Sequence, residues 1–111
     1  MTGFKAISLV RRKPDIDREE FARIWRGEFT AVAARLEGLR GYRVNVVTDR
    51  SGNQDWDGFA EIWFDDREAF ERAFADQGLE AEMTAVREHF IDQYVMYEVS
   101  ESDALEDNDA A

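Results

Sequence analysis

Residues 57–70 read DGFAEIWFDDREAF, a strand-like run followed at once by a helix start. From Gly58 to Phe64 the side chains alternate across a pleat, which puts Phe59 and Trp63 on one face and Ile62 and Phe64 on the other. Asp65 stands three residues before Glu68, the spacing of a capping box, so a short helix carrying Phe70 and Phe74 is expected to follow. A strand that is apolar on both faces and feeds a capped helix belongs in a mixed sheet-and-helix domain.

Upstream, Leu39 to Val47 is β-branched and aromatic, and the Asp49 to Asp55 stretch with its Ser51-Gly52-Asn53 core reads as the turn of a hairpin. Before that, Asp17 and Glu20 repeat the capping-box spacing, with Ile16 and Phe21 placed as a hydrophobic staple. Phe21, Ile24, Trp25, Phe29, Val32 and Leu36 then gather into one stripe at about 100° per residue, and Gly38 supplies the stop. Phe4 to Val10 is the first strand, ending in the turn Arg11-Arg12-Lys13-Pro14. Downstream, Gly78 is read as a break, Leu79, Met83, Val86 and Phe90 continue at helical spacing, and Gln93 to Val99 closes the chain as strand four.

The order βαββαβ predicts an α+β fold of the ferredoxin-like kind, one antiparallel sheet with both helices on one face. Helices hide only that face, so the apolar groups on the other predict a homodimer with sheet packed on sheet. The domain is expected to span residues 1–99. Residues 100–111 carry Glu101, Asp103, Glu106, Asp107 and Asp109 without a base, and read as an acidic, disordered tail.

The 111 residues carry 14 Lys and Arg against 25 Asp and Glu, a net charge of −11. That balance argues against nucleic acid, where affinity comes from cations on phosphates, and against an anionic membrane surface. It fits a high-salt host or an acidic extension equally well. With no cysteine and one histidine, no disulfide, thiolate nucleophile or metal site is expected, and the absence of a glycine-rich phosphate loop argues against a nucleotide cofactor. No membrane span or signal segment is visible, so the expected location is cytoplasmic.

Taken together, KAISLVRRKPDIDREEFARIW (5–25), RLEGLRGYRVNVV (35–47), DGFAEIWFDDREAF (57–70) and HFID (89–92) resemble the EthD family of dimeric α+β barrel proteins. The resemblance runs from Phe4 to Val99. It implies a ferredoxin-like monomer whose sheets pair into a barrel, with a small-molecule cleft between sheet and helices and no cofactor. Family members are linked to ether degradation and to lactone and aromatic chemistry, often filed near oxidoreductases, so the implied ligand is a small apolar or aromatic molecule. The family commonly has a histidine four residues after the first-helix tryptophan; here that position is Phe29.

Further residues stand out beside Phe29. Glu28 falls among the apolar positions of the first helix when counted at 100° per residue, so its carboxylate is either a desolvated acid or base, or a rim group paired with an arginine such as Arg43. Tyr42 offers a phenol that polarises a carbonyl or enolate oxygen, or else a core aromatic. Trp25, Phe29, Trp63 and Tyr42 either wall a pocket or simply fill core. Glu61, with Asn45 and Arg43 across the hairpin, is either a polar anchor in the cleft or part of an ion-pair network. His89 reads as a solvated residue at a helix end. Three roles stay open on these residues: a cofactor-independent enzyme with Glu28 and Tyr42 as polar groups, a non-catalytic ligand-binding homodimer, and a purely structural dimer.

Overall fold

The computed structural model describes residues 3–48 and 55–109, so the core of the expected 49–55 turn lies outside the described residues. In chain order the elements are β1 (Phe4–Arg12), a first helix built of α1 (Arg18–Ile24), a π-helical segment (Trp25–Phe29) and α2 (Thr30–Ala33), then β2 (Gly41–Val46) and β3 (Gly58–Phe64). These are followed by α3 (Arg67–Phe74), α4 (Gln77–Phe90), β4 (Ile91–Val99) and α5 (Ala104–Asp109). The four strands form one antiparallel sheet in the order β2-β3-β1-β4, the split-βαβ arrangement expected from the element order.

Register decides which side chains meet the helices. Ser8 stands opposite Ala60 and Met96, and its neighbour Ile7 opposite Glu61 and Tyr97, so the two sets alternate between faces. Phe4, Ala6, Val10, Ala60, Ile62 and Phe64 form the inner face and pack with Phe21, Trp25, Phe29, Leu79, Met83 and Phe90 from the helices. The rings of Phe21, Trp25 and Phe29 lie 5.7, 6.5 and 5.8 Å from that of Phe90, whose side chain is completely enclosed. Gly58 permits the closest approach: a Cβ there would sit 2.4 Å from the Asn45 carbonyl oxygen and 2.7 Å from the Trp25 ring.

The helix starts follow their caps. The Asp17 carboxylate accepts from the Glu20 N–H at 2.8 Å, as the capping-box spacing requires. The second helical region begins one residue later than that spacing implies, because Asp66 rather than Asp65 accepts from the Ala69 N–H at 2.8 Å while Asp65 pairs with Arg40. Gly78 does not break that region; Asp76 does, by capping α4 through the Leu79 N–H at 3.0 Å, and Gly78 lies inside the new first turn. After the first helix the chain turns at Gly38, whose φ of 79° suits glycine. The acidic tail, expected to be disordered, carries the short helix α5, with the Asp103 carboxylate accepting from the N–H groups of Leu105 and Glu106. Among the described residues no helix is long and apolar enough to cross a membrane.

Candidate functional site

The first helix changes its winding where it reaches the sheet. Thr30 donates its N–H to the Trp25 carbonyl, a step of five residues, and the Thr30 hydroxyl bonds the same oxygen at 2.6 Å. Such a widened turn admits one extra residue, and π turns recur at functional sites. It explains a correction: counted at 100° per residue Glu28 faces inward, but the extra residue rotates it out and brings Phe29 in. Glu28 is exposed, its carboxylate 3.8 Å from Arg23, and it takes no part in the interior. Arg23, not Arg43, is its partner.

Behind this turn lies a cavity of about 40 Å³ between the sheet and the helices. Trp25 and Phe29 from the π segment, Tyr42 from β2, Met83 and Arg87 from α4, Ser8 from β1 and Tyr94 and Met96 from β4 line it, with Phe74 and aliphatic side chains between. One enclosed water needs roughly 10–15 Å³ on this measure, and a cavity of about 150 Å³ holds benzene. The cavity thus has space for a few waters, and a ring-sized guest must displace wall. The wall contains suitable parts, since Met83 and Met96 are unbranched and deformable and Tyr94 is 40% exposed.

The lining is apolar except for a small set of donors. The Trp25 indole N–H donates to the Tyr42 hydroxyl oxygen at 2.9 Å. That bond occupies an acceptor position of the phenol and leaves its own proton directed elsewhere; among the described residues no group accepts it. Burial pushes the Tyr42 phenol up to about 12, against the Trp25 N–H and the positive charge of Arg87, which pull it down. At neutral pH Tyr42 is therefore a protonated donor. Among the described residues no Asp, Glu or His lines the cavity, and His89 is exposed near the end of α4.

The remaining expected pocket residues lie on the other side of the sheet. Asn45, Glu61 and Trp63 have the strand parity of Lys5 and Arg43, not that of Tyr42, so a cleft containing all five of Trp25, Phe29, Asn45, Glu61 and Trp63 does not form. There Lys5 Nζ lies 3.0 Å from Glu61, 2.7 Å from Glu101 and 4.8 Å from the centre of the Trp63 ring, while Asn45 Nδ2 donates to Glu61 at 3.2 Å. The Lys5 hydrogen bond holds the Glu61 carboxyl below its usual range, against desolvation and with help from Asn45. Of the two earlier readings of Glu61, the ion-pair network is the one formed. Arg87 is the residue the sequence reading passed over; it lies four positions after Met83 and eight after Leu79, on the buried line of α4, and that spacing marked it. Among the described residues no group of three His, Asp or Glu is placed to hold a metal ion.

The EthD domain model matches residues 13–94, which take in β2, β3, the start of β4 and all of the helices around the cavity. The chain belongs to the EthD family. No curated protein matches its sequence. An EthD family protein from Bacillus halodurans has a similar structure, with a TM-score of 0.71, 19% identity, and coverage of 91% of this EthD chain and 100% of its own. A dimeric protein of unknown function with a ferredoxin-like fold from Bacteroides fragilis matches at a TM-score of 0.65 and 15% identity, covering 88% and 95% of the two chains. A mutant form of SnoaB, a cofactor-independent oxygenase from Streptomyces nogalater, matches at 0.58 and 21%, covering 90% and 91%. At these identities the likeness is one of fold.

Proposed function

We propose that this EthD chain works as a homodimer in which each subunit takes one compact apolar or aromatic molecule into the cavity between sheet and helices, held through an oxygen atom by Tyr42. The observation that carries the reading is the Tyr42 hydroxyl, which accepts from Trp25 and has no acceptor for its own proton among the described residues. A hydroxyl donor left unmet in an apolar cavity is costly, and a ligand oxygen removes that cost. Because the phenol stays protonated to about pH 12, it donates to a carbonyl or to a developing enolate or phenolate without ionising. With no carboxylate or imidazole on the wall among the described residues, the cavity's own residues supply oxyanion stabilisation rather than proton abstraction. Glu28, on the exposed side of the helix, has no part in this chemistry.

The dimer rests on the outer sheet face, where Ile7, Leu9, Phe59 and Val95 are partly exposed and Tyr97 is 57% exposed. The Bacteroides fragilis neighbour of the same fold is dimeric, which supports a homodimer here. Oxygenation without a resident cofactor is the second reading, favoured by an oxyanion donor in a cavity walled by aromatics and by the described activity of SnoaB.

The test is calorimetric titration with acetophenone and with ethylbenzene, which differ in the carbonyl oxygen. Wild type is expected to bind acetophenone about five- to tenfold more tightly, and Tyr42→Phe to erase the preference while keeping ethylbenzene affinity. A preference that survives Tyr42→Phe would remove Tyr42 from the site.

A further inference from the structure

We infer that the cavity takes its ligand as an anion, with the Arg87 guanidinium receiving a carboxylate or an ionised hydroxyl carried on an apolar ring. This rests on the cavity reading above and names its substrate class. The Arg87 side chain is 15% exposed, and its Cζ lies 4.4 Å from the centre of the Tyr94 ring and 5.6 Å from that of Phe29. Stacking on rings fixes a guanidinium while leaving its N–H edge free.

The state of that edge is the decisive observation. A guanidinium has five N–H donors in a planar fork, and among the described residues none of those of Arg87 donates a hydrogen bond. The one carboxylate near it, Glu80, stands 3.8 Å away, beyond hydrogen-bond distance, and is 40% exposed. Surface arginines of the same chain are better served: Arg35 and Arg40 each grip a carboxylate through two bonds of 2.9 Å, to Glu82 and Asp65. Lys5, with a side chain 12% exposed, is bonded by Glu61 and Glu101, whereas Arg87, at 15%, has no carboxylate within hydrogen-bond distance, and a part-buried cation in that state gains when an acceptor arrives. Arg87 and Tyr42 line the same cavity, which has no acid on its wall among the described residues. A neutral carbonyl oxygen can accept from either donor, but only an oxyanion adds charge pairing with the guanidinium.

The test is calorimetric titration of the full chain with benzoate and with its neutral isostere benzamide. Benzoate is expected to bind at least about tenfold more tightly, and Arg87→Met to lower benzoate affinity by a similar factor while leaving benzamide within about twofold. Glu80→Gln, an exposed change that does not depend on tolerance of the cavity wall, is expected to raise benzoate affinity about threefold and leave benzamide unchanged. Equal affinity for the two probes, equal losses in Arg87→Met, or no response of benzoate to Glu80→Gln would overturn the anion assignment, with the cavity itself still standing if acetophenone binds. If acetophenone, benzamide and benzoate all fail to bind, the cavity reading falls and this inference with it.

Discussion

The two faces of the sheet carry similar materials and use them in opposite ways. On the outer face Lys5, Glu61, Asn45 and Glu101 satisfy one another, while Trp63, under the Lys5 and Arg43 cations, keeps a buried indole N–H with no hydrogen-bond partner among the described residues. On the inner face Tyr42 and Arg87 sit against aromatics with donors that no described residue accepts, beside a small cavity. Completed polar networks hold a structure together and leave nothing for a ligand to do. Incomplete ones store an unmet interaction that binding releases. On the proposal above, the outer network supports the sheet and the inner cavity captures the ligand, although both contain an acid or base flanked by a tryptophan or a tyrosine.

The largest effect that would break this comparison concerns packing. Phe90→Ala removes a fully enclosed ring against which Phe21, Trp25 and Phe29 pack, and is expected to cost about 3–5 kcal/mol in denaturant unfolding. Leu9→Ala, on the partly exposed outer face, is expected to cost about 1 kcal/mol when measured on the monomer. Equal costs would mean that the two faces are equally enclosed in the single chain. Next in size is association: Tyr97→Glu is expected to raise the dimer dissociation constant at least about thirtyfold by sedimentation, with the circular dichroism spectrum retained. An unchanged constant would place the interface elsewhere.

The smallest effect sharpens the outer network through pH. Lys5 holds Glu61 below its usual value, so the stability that Glu61 contributes is fully present above the ordinary glutamate range and is lost as pH falls through its lowered value. Glu61→Gln is expected to flatten the acid side of the melting-temperature profile while leaving acetophenone affinity unchanged, because Glu61 lies across the sheet from the cavity. A variant that also loses ligand would join the two faces into one site.

Most of the fold was legible because its signals are local. Asp17 before Glu20, the alternation in 58–64 and the helical spacing of Leu79, Met83 and Phe90 each report a contact within a few residues. Two adjacent aspartates blurred the start of α3, since Asp65 and Asp66 are equally good caps by type and only the Arg40 pairing separates them. The candidate site was half legible. Trp25, Phe29 and Tyr42 were found as aromatics on the right elements. Glu28 was misplaced because a fixed rotation per residue has no means to register a π turn, and that turn depends on the Thr30 bonds to Trp25. Asn45, Glu61 and Trp63 were placed with the cavity although their strand parity, readable from Phe59 and Ile62, puts them behind it. Arg87 was hidden by its charge: on a buried helical line a cation is easily taken for a solvated neighbour.

The central claim is that the inner cavity, and not the outer face, receives the ligand. The most direct measurement is the methyl spectrum of protein labelled at Met, Ile and Leu, recorded as acetophenone is added. Because Met83 and Met96 line the cavity while Ile7 and Leu9 lie on the outer face, the account predicts that the two methionine methyls shift with ligand and the Ile7 and Leu9 methyls stay in place. Shifts at Ile7 and Leu9 with both methionines unmoved would contradict it.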